Sequence, residues 1–170
     1  MIHRALLPVA WLFAIAASAA TPEIPNRLID YTTFENAVDK VGNLRKQRRI
    51  TENQFLLMAQ DPATVILDAR SREMFERLHV KNARNLSLPD ITADELAKII
   101  PSKATRVLIY CNNNFENEPR AFPTKAPAAS LNIHTLNVLY AYGYENVYEL
   151  GPLLDVRKTR IPFEGQVAGS

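Results

Sequence analysis

Short apolar runs alternate with amphipathic stretches along most of this chain, the pattern of β-strands and α-helices taking turns. Residues 21–30, with Pro22 and Pro25 among polar neighbours, read as a linker or an extended arm. Thr32-Thr-Phe-Glu35 has the form of a capping box. Phe34, Ala37, Val38 and Val41 follow at helical spacing, and Gly42 is the predicted stop. Thr51-Glu-Asn-Gln54 repeats that start ahead of Phe55, Leu56, Met58 and Ala59, and Asp61-Pro62 predicts a turn.

Thr64-Val-Ile-Leu-Asp68 is a continuous apolar run closing on an acid, as in a parallel strand covered on both faces. Ser71 to Arg77 predicts a short helix and Ala83 to Leu86 a brief strand. Thr92-Ala-Asp-Glu95 caps a further helix carrying Leu96, Ile99 and Ile100, with Pro101 as terminator. Arg106 to Tyr110 is the next strand. A long polar stretch with Pro119, Pro123 and Pro127 follows it, then a helix from about Ala128 to Tyr142 stopped by Gly143. Asn146 to Glu149 is the last strand, and Gly151 to Ser170 reads as helix or coil. Strands alternating with helices imply an α/β fold, a mostly parallel sheet with helices on both faces.

The first residues carry a different pattern. Met1-Ile-His-Arg4 is a short basic start, Ala5 to Ala16 is apolar, and Ala17-Ser-Ala-Ala20 offers small residues for cleavage. Residues 1–20 therefore read as an export signal, and the apolar run is short of the ~20 residues a spanning helix needs. Its removal places the protein in the periplasm or outside the cell, with no membrane partner. Twenty Lys and Arg less Arg4 leave nineteen, against eighteen Asp and Glu, so the mature charge is about +1. Nothing in that balance calls for nucleic acid. The dense run Arg45-Lys-Gln-Arg-Arg49 reads first as a solvated helix end or linker, with anion steering second. The expected organisation is a signal over 1–20, an arm with a helix over 21–47, and the main domain over 48–165.

Cys111 is the single cysteine, at the carboxyl end of an apolar strand, where ligands of open α/β sheets bind. A thiolate there is placed to attack a sulfur or phosphorus centre, with loop N–H groups stabilising the charge. The competing reading is a small buried hydrophobe. An unpaired thiol in an oxidising compartment favours a reactive group or an intermolecular partner. His79 and His134 have no metal-ligand spacing to it.

Asp68-Ala-Arg70, Phe75, His79-Val-Lys-Asn-Ala83, Val107-Leu-Ile-Tyr-Cys111 and Tyr142-Gly-Tyr-Glu-Asn-Val-Tyr-Glu-Leu-Gly151 together resemble a rhodanese domain, from about Arg48 to Gly151. The resemblance implies a five-stranded, mainly parallel sheet and a cysteine opening a loop into a helix. It implies that the thiolate takes a sulfane sulfur from a donor such as thiosulfate and passes it, through a persulfide, to cyanide or another thiol. The partners implied are a small sulfur donor or a partner protein's thiol, and no metal or organic cofactor is required. Loop N–H groups and a helix N-terminus both favour the sulfur anion. The matching positions Asp68, Arg70 and His79 are read as scaffold, hydrogen-bonding strand ends.

The loop departs from the family pattern. Cys111 is followed by Asn112, Asn113, Asn114, Phe115, Glu116, Asn117 and Glu118, with no glycine and no adjacent arginine. The amides of Asn112 to Glu116 are the expected anion cradle, with asparagines supplying left-handed backbone. Phe115 is expected as a lid or apolar mouth. Arg120 and Lys125 are loop cations within reach of the site, though such cations are usually solvated, and Glu116 and Glu118 act against an anionic donor. Two other readings stand beside the sulfurtransferase: a non-catalytic binding module, whose surface would be Phe115 to Pro127, and a phosphatase. The phosphatase needs an arginine where this chain has Asn117.

Overall fold

The computed structural model describes residues 24–166, so the expected signal segment lies outside the described residues. The chain divides into two compact units at Asp30. Within the first, Asn26 closes a turn, its side chain accepting from the Leu28 N–H at 3.0 Å and its carbonyl from Ile29 at 3.1 Å.

The second unit opens with helix α1 (Tyr31–Arg48), followed by β1 (Arg49–Ile50) and α2 (Glu52–Ala59). Next come β2 (Val65–Asp68), α3 (Arg72–Arg77), β3 (His79–Val80), β4 (Arg84–Asn85) and α4 (Ala93–Ile99). The chain continues through β5 (Val107–Tyr110), β6 (Phe115–Glu116), α5 (Leu131–Ala141), β7 (Val147–Leu150), β8 (Leu154–Asp155) and β9 (Phe163–Glu164). Five strands form one sheet in the order β1-β7-β5-β2-β4, every pair parallel. The expected α/β architecture is therefore present, with β5 at the centre.

Two apolar layers sandwich this sheet, one gathering Val41, Leu96, Val107, Leu136, Leu139 and Val147. The other gathers Ile50, Phe55, Ile66, Leu108, Tyr110 and Leu150. All four residues of β2 and all four of β5 are buried, which explains their unbroken apolar runs. The caps of three helices lie where the residue pattern put them. Thr51 and Gln54 form a full capping box, and Ser71 and Thr92 accept from the N–H groups of Met74 and Glu95. Gly143, at φ +80°, ends the α5 segment as expected.

Three elements differ from expectation. Helix α1 begins at Tyr31, before Thr32, and runs through Gly42 to Arg48. Helical geometry persists there because the face including Val41 packs on α5 and β7, outweighing one glycine's cost of about 1 kcal/mol. The expected arm over 21–47 is thus divided at Asp30, and its helix belongs to the compact unit with the sheet. The tail after Gly151, read as helix or coil, instead forms β8 against β6 and β9 against β3.

Candidate active site

Cys111 leaves the end of β5 in extended geometry and caps a 3₁₀ turn over Asn112–Asn114. Its N–H donates to Asn114 Oδ1 at 2.9 Å, while the Asn114 N–H returns to the Cys111 carbonyl at 3.1 Å. Asn114 is held further by its Nδ2, which donates to the carbonyls of Leu150 (2.7 Å) and Pro152 (3.2 Å). The last residue of the cysteine turn is thus stapled to the end of β7.

The Cys111 sulfur lies 3.3 Å from Ser130 Oγ. Ser130 occupies the N-cap of α5, yet its hydroxyl makes no capping bond. The sulfur is therefore placed at the helix end that favours an anion, in contact with a hydroxyl able to donate to it. Only 1% of Cys111 is exposed. Its surroundings are nevertheless polar: it lines a cleft of about 190 Å³ shared with Asn113, Asn114, Ser130, Asn132, Arg45 and Arg49.

Glu149, 4% exposed on β7, anchors the far wall of that cleft. Arg45 binds it bidentately, Nε–Oε2 at 2.6 Å and Nη2–Oε1 at 2.8 Å, and Arg49 stands 4.0 Å away while donating to the Gly151 carbonyl at 2.8 Å. Two guanidiniums around one carboxylate leave the cleft one positive charge in excess. Asn132 Nδ2 bridges Asn114 Oδ1 (2.9 Å) and Glu149 Oε1 (3.4 Å), and its buried Oδ1 has no hydrogen-bond partner.

The predicted site residues separate into two groups. Cys111, Asn113 and Asn114 share the cleft, whereas Asn112 is buried beside it without lining it. Phe115 is no lid. It is 1% exposed, with its ring among those of Tyr110, Phe122 and Phe163, centroids 4.8 to 5.8 Å away. Glu116 is exposed on β6, paired with Asp155. The expected ring of amides from Asn112 to Glu116 is broken from Asn114 onward. The Asn114 N–H returns to Cys111, that of Phe115 to Asn112, and Glu116 continues into a strand. Left-handed backbone falls at Asn117 (φ +68°), past the triplet, because the triplet winds as a right-handed 3₁₀ turn.

Arg120 pairs with Glu118 at 3.5 Å, and neither it nor Lys125 lines the cleft. The loop is instead tied down by Asn113, whose Nδ2 donates to the Lys125 carbonyl (2.8 Å) and whose Oδ1 accepts from the Lys125 N–H (3.1 Å). The cations come from Arg45 and Arg49, within the basic run read first as a solvated helix end. Distance along the chain hid them, since Arg45 and Glu149 are 104 residues apart. The signal available was the position of that run, at the end of a helix feeding a strand.

Asp68 and Arg70 have the scaffolding role expected of them. Arg70, 1% exposed, pairs with Asp68 at 2.6 Å and donates to the carbonyls of Ala121 and Leu78, both at 2.7 Å. Burial alone would lower the Arg70 pKa, but the Asp68 hydrogen bonds and charge hold it above its ordinary value. The Tyr110 hydroxyl donates to Asp68 Oδ2 at 2.5 Å, and burial, then the Asp68 charge, push its pKa well up, so it stays protonated. His79 Nδ1 meets the Phe75 carbonyl at 2.7 Å and its ring stacks on Phe75 at 3.7 Å, away from the cleft. Among the described residues no cluster of three or more His, Cys, Asp or Glu is placed to hold a metal, and no helix is long and apolar enough to cross a membrane.

A parallel five-stranded sheet whose central strand ends in the one cysteine, before a loop into a helix, matches the rhodanese-like domain, whose family model covers residues 51–151. The chain belongs to that family. The rhodanese-like domain of the Alr3790 protein from Anabaena sp. superposes with a TM-score of 0.53 at 20% identity, over 72% of this chain and 82% of that one. The BH2092 protein from Bacillus halodurans superposes at 0.50 and 16% identity, over 79% and 87%. At such identities these likenesses establish the fold. The search of curated proteins found no match.

Proposed function

We propose that this rhodanese-like protein is an exported sulfurtransferase that carries a sulfane sulfur as a Cys111 persulfide. The observation that carries the reading is the position of the Cys111 sulfur, 3.3 Å from Ser130 Oγ at the start of α5 and on a cleft with a net positive wall. In this reading the thiol proton passes to solvent and the thiolate attacks the outer sulfur of a donor such as thiosulfate. A sulfur–sulfur bond forms, the donor's own sulfur–sulfur bond breaks, and sulfite leaves with the electron pair. A second thiol or cyanide then takes the outer sulfur and releases the thiolate. The Ser130 hydroxyl and the α5 N-terminus stabilise the sulfur anion in both states. Arg49 meets the anionic donor in place of a loop arginine.

A second reading, a non-catalytic interaction module, is supported by the 1% exposure of Cys111 and by the Asn114 and Phe115 amides, which bond back within the turn. One experiment separates the two. The mature protein is incubated with thiosulfate or an organic persulfide and weighed intact. A gain of one sulfur atom, lost in Cys111→Ser and discharged by added thiol, is the expected result. An unmodified mass with every donor would overturn the sulfurtransferase in favour of the binding module.

A further inference from the structure

Helix α1 packs on the rest of its unit mainly through its second half. Val41 is 4% exposed and Leu44, Arg45 and Arg48 are half-buried, whereas every residue from Tyr31 to Lys40 is exposed except the half-buried Ala37. The stripe that enters the core at Val41 continues into this bare half. Val38, Phe34 and Tyr31 stand three, seven and ten residues before Val41, on the same side of the helix, and are 39%, 49% and 67% exposed. The rings of Tyr31 and Phe34 lie 6.1 Å apart and join into one aromatic surface. About 15 Å of helix therefore carries a core-type stripe beyond the core it belongs to.

The two borders of that stripe differ in charge. Glu35 stands four residues after Tyr31 and three before Val38, and Asp39 follows one turn on, so two exposed carboxylates edge one side. Lys40, on the other side, is the one basic residue from Tyr31 to Lys40. We infer that the stripe is a docking site for a helix of another protein, with an apolar stripe of its own and Lys or Arg along the border that meets Glu35 and Asp39. Burial of the Phe34 and Val38 side chains supplies the attraction, and the acidic border selects the partner. A second copy is disfavoured, because antiparallel pairing would lay Glu35 and Asp39 of each helix along those of the other. An anionic membrane surface would meet the same two carboxylates, where helices that lie on such surfaces carry Lys and Arg. Phe34 is about 16 Å along the axis from Arg45, so the stripe is separate from the thiol cleft. It also lies outside residues 51–151 and does not depend on the sulfur chemistry.

The test uses the mature protein and two labelled synthetic helices with the same leucine stripe, one bordered by lysines and the other by glutamates. Fluorescence anisotropy at low salt is expected to show the lysine helix binding about tenfold tighter or more. Phe34→Ser combined with Val38→Ser is expected to remove most of that binding, and Glu35→Lys combined with Asp39→Lys to reverse the preference. Should the serine variant fail to fold, the charge-reversed variant decides, since both its substitutions are at exposed positions. Binding of neither helix, equal binding of both, or binding that survives the serine substitutions would overturn the inference. Two companion measurements look for the rival occupants. A dimer seen in sedimentation and lost in Phe34→Ser would give the stripe to a second copy. Flotation with phosphatidylglycerol vesicles, lost in the same variant, would give it to a membrane, and either result overturns the partner assignment.

Discussion

Arg70 shows what the family's motif residues do in this protein. Its guanidinium joins the end of β2, the carbonyl of Leu78 ahead of β3 and the carbonyl of Ala121 in the long loop, with the Phe122 ring 4.2 Å beneath it. Removing it leaves Asp68 as an uncompensated charge in a fully buried position. Arg70→Met is therefore expected to cost about 3–5 kcal/mol, read as a lower urea midpoint. Phe115 gives a second test at this scale. If it were a mouth residue, Phe115→Ala would mainly alter donor binding. Buried against three aromatic rings, it is expected instead to lose about 3–5 kcal/mol of stability. Equilibrium unfolding beside donor kinetics distinguishes the two. Why Phe115 looked like a mouth is plain: it stands four residues after the cysteine, and nothing local reveals that β6 pairs with Leu154 and Asp155.

At the scale of elements, the exposed part of the long loop, residues 123–129, is a strap tied beside the sulfur by Asn113. Asn113 makes both of its amide hydrogen bonds to the backbone of Lys125, and Pro127 and Ser130 border the same cleft as Cys111. Asn113→Ala frees that strap. The expected outcome is a several-fold faster alkylation of Cys111 by iodoacetamide, with Tm lowered by only a few degrees because the two lost bonds are exposed and worth about 1 kcal/mol each at most. An unchanged alkylation rate would show that the strap does not limit access. Elements were legible in the sequence where burial and local chemistry agree. The unbroken apolar runs of β2 and β5 and the Thr51 and Thr92 caps are such cases. Two-residue strands such as β8 and β9 carry no periodicity to read, and exist only because β6 and β3 offer partners.

Taken whole, the molecule builds its site partly from sequence outside the residues that match the family. The match begins at residue 51, whereas Arg45 and Arg49 lie at the end of α1 and in β1. These two arginines share Glu149 unequally, and that predicts different phenotypes. Arg45 makes both short bonds to the carboxylate and ties α1 to β7, so Arg45→Ala strands a charge that is nearly buried. Arg45 is itself about a third exposed, which discounts the loss to about 1–2 kcal/mol. Arg49 stands 4.0 Å from that carboxylate and half in solvent, so Arg49→Ala is expected to leave Tm within a degree or two while slowing Cys111 persulfidation by anionic donors about tenfold. The slowing should shrink as salt is raised, because it acts between partly solvated charges. Loss of stability without a change in donor rate at Arg49 would make it a second strut for Glu149, and would leave the Ser130 hydroxyl and the α5 N-terminus to meet the anion.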